Sequence, residues 1–140
     1  MEKDNSSVIV STFKRKGGEG DYTKIIDTNN QGMYLQYFPD LKENEHALIF
    51  YFKGESNWLL LTNKRILTNH NGEQYVISNQ DIFGVTPAMQ EEFKDGVRNK
   101  TDFTRLILKD SSNKSYLLHV EKGQPYEGLY QALHFLATKK

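Results

Sequence analysis

The 140 residues contain no cysteine, which excludes disulfide staples, thiolate metal sites and cysteine nucleophiles and points to a reducing compartment such as the cytoplasm. Long apolar runs are also missing. The longest span about five to seven residues against the roughly 20 that a bilayer-crossing helix requires, so no membrane span is expected. Nor does one sign of charge prevail: 18 basic and 18 acidic side chains give a formal net charge of zero. Proteins that live on phosphate backbones carry a net positive charge or a clear basic face, so nucleic acid is not an expected partner. Within Met1 to Gly20 the only apolar stretch is Val8-Ile9-Val10. It precedes the basic cluster Lys14-Arg15-Lys16 and no small-residue cleavage site is evident, so a secretory leader is not expected. The length suits one domain able to close a core without a metal or cross-link.

What is present favours strands. Hydrophobic residues make up 37% of the chain, with 8 Tyr and 8 Phe, types that suit a pleated, half-buried surface. The clearest segment is Trp58 to Ile77, WLLLTNKRILTNHNGEQYVI. Leu59-Leu60-Leu61 enters the turn Thr62-Asn63-Lys64-Arg65, and Ile66-Leu67 leads to Asn71-Gly72, whose easy access to positive φ suits a type I′ hairpin. The run predicts a three-stranded meander. His46 to Lys53 is the strand before it, reached through Gly54-Glu55-Ser56-Asn57, and Ile82 to Val85 follows as a short strand. Thr86 to Lys100 is mixed and charged, with Pro87 and Gly96 against a continuous helix, and is expected to be a long loop or weak strand. Phe103 to Asp110 and Lys114 to Val120 form a final strand pair. The period then changes. Pro125 suits the first turn of a helix, and Tyr126, Leu129, Tyr130, Leu133, Leu136 and Ala137 recur at helical spacing. Lys139 and Lys140 suit the negative end of its dipole. Residues 1 to about 21 are expected to be a mobile tail or loose edge strand. Tyr22–Ile26 and Met33–Phe38 are expected to be an extra hairpin or a short helix over the core.

The order of elements resembles the pleckstrin-homology-like (PH-like) superfold. Leu61-Thr62-Asn63-Lys64-Arg65-Ile66-Leu67 resembles the LT-x-x-R-hydrophobic hairpin of bacterial PH-like domains, and Ile77 to Val85 resembles the polar turn and strand that follow it. The likeness covers about residues 43 to 138. It implies a mainly β (α+β) fold: a PH-like barrel of about seven antiparallel strands, capped by a C-terminal amphipathic helix, over residues 43–140, with 1–42 an N-terminal extension partly flexible or packed on the core. It also implies a non-catalytic intracellular binding or scaffold domain that engages a protein partner or itself. Fold alone does not fix function.

Two sets of side chains are candidates. Lys53, Lys64 and Arg65 would meet anionic lipid head groups if the domain were a peripheral membrane adaptor, with the tail cluster Lys14-Arg15-Lys16 adding weak contact to an anionic surface. The plainer reading of Lys64 and Arg65 is solvated hairpin charge. Phe103, Tyr116, Tyr126 and Tyr130 would line a groove for an added peptide strand along the C-terminal helix; the plainer reading is core. No enzyme signature is apparent. His46, His70, His119 and His134 lack metal-ligand spacing and are expected to be surface or satisfied polar groups, so no metal or other cofactor is expected. Gly17-Gly18-Glu19-Gly20 lacks the flanking strand, helix and Gly-Lys-Ser/Thr ending of a phosphate loop. Glu91, Glu92 and Asp95 read as a charged, solvated loop.

Overall fold

A computed structural model describes residues 5–138, so Lys139 and Lys140 lie outside it. Among those residues the chain is α+β, with eight antiparallel strands in two sheets and a C-terminal helix. The first sheet has the order β1 (Thr23–Ile25), β2 (Ala47–Gly54), β3 (Asn57–Thr62), β4 (Arg65–His70), β5 (Glu73–Ser78). The second joins β6 (Ile82–Pro87), β7 (Arg105–Asp110) and β8 (Ser115–His119). The expected meander is therefore β3 to β5. The strands do not close on one another, so the expected barrel becomes two separate sheets packed about one core.

Alternation along the strands explains the unusually continuous apolar runs. Ile49, Leu59, Leu61, Ile66 and Ile77 face the main core together with Leu106, Leu108 and Leu118 of the second sheet. Phe50, Leu60 and Leu67 point the opposite way and form a second cluster with Ile26. That outer face is covered by the segment holding α2 (Gln31–Tyr34) and the 3-10 turn Leu35–Tyr37. Tyr34 and Phe38 meet the Phe50 ring edge-on at 5.8 and 5.1 Å, and Tyr37 lies 4.4 Å from Phe52.

The expected N-terminal tail is instead a helix, α1 (Ser6–Lys16), with Ile9, Thr12 and Phe13 buried at i, i+3 and i+4. It lies on α4 (Gln124–Thr138), whose buried stripe is Tyr126, Leu129, Ala132, Leu133 and Leu136. Glycine permits the contact. A Cβ on Gly17 would stand 2.0 Å from the Gln124 carbonyl oxygen, and one on Gly128 would stand 2.7 Å from the Phe13 ring. The expected loop after Thr86 also differs: β6 runs on to Pro87 and α3 (Met89–Lys94) follows.

Candidate functional site at the open rim of the core

The inner face of the first sheet ends in a polar row. Beyond Tyr51, Leu59, Thr68 and Tyr75 the register brings Asn57, His70 and Glu73 into line, while the end of β8 delivers His119 from the second sheet. The two imidazoles stack, centroids 3.4 Å apart and planes 7° from parallel. Beside them opens a cleft of about 500 Å³ whose wall includes Tyr22, Tyr51, Lys53, Asn57, His70 and His119, a size in the range of small-ligand and side-chain pockets.

The protonation states follow from the neighbours. Nδ1 of His70 lies 3.3 Å from Oδ1 of Asn57, and its Nε2 lies 3.3 Å from the Asn71 amide nitrogen. The first partner accepts and the second donates, so the ring is a neutral imidazole carrying its proton on Nδ1. Burial lowers its pKa, Arg105 adds to the effect and Glu73 opposes it. His119 is pushed down to about 4, by burial first and then by His70 and Arg105, again against Glu73. Burial raises the Tyr51 phenol, with a hydrogen bond from Asn57 opposing and Glu121 and Tyr22 reinforcing. The cleft wall is thus neutral here at physiological pH. Of its charges, the Glu121 carboxylate accepts from the N–H groups of Asp21 and Tyr22 at 2.9 and 3.0 Å and from the Thr23 hydroxyl at 2.7 Å, and the exposed Lys122 lies 3.9 Å from Asp102. The ammonium of Lys53 lies 5.7 Å from the centre of the Tyr22 ring, a cation–π arrangement.

The histidine stack predicts a pH dependence. The unfolded chain takes up a proton near pH 6.5, whereas folded His119 resists until about 4, so stability is full above 6.5 and falls as pH drops toward 4. Partial solvent access screens the loss to roughly 1–2 kcal/mol. Urea unfolding at pH 7 and pH 5 should show it above the range in which carboxylates titrate, and His119→Phe, which keeps a stacking ring, should flatten the slope. Parallel slopes for the two proteins would refute this account.

No family model, curated protein or solved structure matches this chain.

Of the sequence-derived cations, only Lys53 reaches the cleft. Lys64 and Arg65 sit at the opposite end of β3, about 17–20 Å away at the usual strand rise, so the three do not form one head-group site. Arg65 is not a solvated hairpin charge: its Nε and Nη2 donate to the buried Glu45 carboxylate at 2.8 and 3.1 Å. Lys64 donates to the Glu43 carbonyl at 3.2 Å. The LT-x-x-R residues therefore make a staple, in which the Thr62 hydroxyl donates to Glu45 and accepts from the N–H groups of Lys64 and Arg65. Burial alone would raise the Glu45 carboxyl, but the bonds from Arg65 and Thr62, with one from the Lys42 backbone N–H at 2.7 Å, outweigh it and leave it below its ordinary value.

The four aromatic candidates divide. Phe103 and Tyr126 are core residues, 1% and 2% exposed, with rings 6.2 Å apart and the Tyr126 hydroxyl donating to the Arg105 carbonyl at 2.8 Å. Tyr116 turns to the β7–β8 loop, where it donates to Asp110 at 2.9 Å and meets Tyr75 edge-on. Tyr130 is half-buried on α4 beside His134. They do not share an open groove. The cleft residues Tyr22, Tyr51, Asn57, His70 and His119 were missed because they converge from strand ends far apart in sequence; only the parity of each strand carried a hint.

Among the described residues, no helix is long and apolar enough to cross a membrane.

Proposed function

We propose that the chain is a non-catalytic binding domain of PH-like architecture that engages a protein partner through the rim cleft. The PH-like reading rests on element order: a meander-based sheet, a second three-stranded sheet and a C-terminal helix, with the LT-x-x-R turn at the expected place. The cleft carries the binding reading. It presents flat rings, a neutral imidazole stack and two exposed ammoniums, those of Lys53 and Lys122, the second 3.9 Å from the exposed Asp102 carboxylate, a composition suited to holding a side chain and a carboxylate. Both ring nitrogens of His70 face side-chain amides of asparagines and Glu121 is saturated, which leaves these groups positioned to support the wall instead of turning over a substrate.

The test is capture on the immobilised chain, compared with a Tyr22→Ala/Lys53→Glu double variant. Both side chains are exposed, so folding should be unaffected. A protein retained by the first and lost by the second supports the reading, whereas a partner retained equally by both removes the cleft from it. The competing reading, a membrane adaptor, has one observation of its own: Arg15, Lys16 and Lys100 surround a recess of about 500 Å³ at the start of α4. Salt-sensitive co-sedimentation with anionic vesicles, unchanged in the double variant, would favour that surface.

A further inference from the structure

Two open sheets leave four edge strands, and exposed edges are ordinarily blocked by shortness, proline, bulges, basic charge or a covering element. β1 has only 3 residues. β6 carries an irregularity between Ile82 and Gly84, ends at Pro87 and lies against α4. β8 closes toward the first sheet through the His70–His119 stack. β5 shares only the last of these, an edge-on contact of Tyr75 with Tyr116 of β8 on its core side. Its 6 residues, Glu73–Ser78, pair with β4 in unbroken register and include no proline, lysine or arginine, and Val76 stands 59% exposed.

The direction of each β5 backbone group follows from the hairpin. Asn71 and Gly72 have φ of 53° and 92°, a type I′ turn, which makes His70 and Glu73 a hydrogen-bonded pair. Alternation then bonds Tyr75 and Ile77 inward to β4. The bond from Asn79 N–H to the Lys64 carbonyl, 2.9 Å, continues the same phase. Gln74, Val76 and Ser78 consequently aim their backbone groups outward. The Ser78 carbonyl is the exception, because the 3-10 turn Asn79–Asp81 folds onto it.

This outward set is nearly symmetric about Val76, and we propose that β5 pairs with β5 of a second copy, antiparallel, across a two-fold axis at Val76. Val76 then exchanges two bonds with its counterpart and each Ser78 N–H meets a Gln74 carbonyl, about four bonds in all. The register places Tyr75 beside Ile77 on the core side and the exposed Val76 side chains together on the other. It sets Glu73 opposite Asn79, so no like charges meet. An isologous contact of this kind closes at two copies. The pairing does not rest on the cleft.

Sedimentation velocity from low micromolar to near-millimolar concentration tests it, alongside amide hydrogen exchange at both extremes. The expected result is a monomer–dimer equilibrium, with Val76 and Ser78 amides slowed at high concentration and the Gln74 amide unchanged, since its would-be acceptor is taken. Val76→Pro removes an outward N–H and no internal bond; Val76→Lys places charge on both sides of the axis and covers the case in which proline disturbs the strand. Loss of the dimer in the folded variant supports the pairing. A monomer at every concentration, a dimer indifferent to Val76→Lys, or open-ended growth would overturn it.

Discussion

Phe13→Ala should lower the stability of the chain by about 3–5 kcal/mol, the usual cost of emptying a large aromatic site in a close-packed core. Marginal domains have about 5–15 kcal/mol in total, so the variant should be close to unfolding at moderate temperature. Phe13 is wholly buried and lies against the one position of α4, Gly128, where helix backbone replaces a side chain. Neighbouring residues cannot move in to fill the space, because the α1–α4 approach is already at backbone contact through Gly17 and Gly128. Urea unfolding of the full chain measures the effect. A change below about 1 kcal/mol, the size expected of a surface residue, would mean that α1 does not belong to the core.

That helix also marks where the sequence is hard to read. Val8, Ile9 and Val10 are β-branched and poor helix formers, and the glycines after Lys16 look like a linker. The helical state comes from docking on α4, a tertiary effect that local propensity does not carry. β3 to β5 are the opposite case. Their turns are local, with Asn71-Gly72 supplying positive φ and Thr62 bonding its own turn, so the meander was legible almost to the residue. α4 was legible for a similar reason, since its buried stripe repeats at helical period. The cleft was not, because Tyr22, Lys53, His70 and His119 meet only after two sheets pack at their ends. Arg65 and Glu92 were misread for a shared reason: a charge in a polar stretch looks solvated until its partner, distant in sequence, is placed beside it.

Those two residues belong to matching devices, and the second should be the more costly to break. Arg65 and Arg105 each open a strand, β4 and β7, and each is tied to a fully buried glutamate from a preceding segment, Glu45 and Glu92. Glu92 Oε2 accepts from the N–H groups of Thr104 and Arg105 at 2.7 and 2.9 Å, and Oε1 lies 3.3 Å from the Arg105 Nε. Arg105 also pairs with Asp95. One carboxylate thereby fixes α3 to the entry of β7 and satisfies two backbone donors. Glu92→Ala should cost about 3–5 kcal/mol, since it strands those donors and leaves Arg105 short of its buried counter-charge. Glu92→Gln should recover part of the loss, because its amide oxygen still accepts from the backbone while its charge is gone. Urea midpoints for the three proteins, at a pH above 7 to keep both histidines neutral, give the ranking wild type, Gln, Ala. A Glu92→Ala protein within about 1 kcal/mol of wild type would mean that α3 and β7 are joined by packing alone.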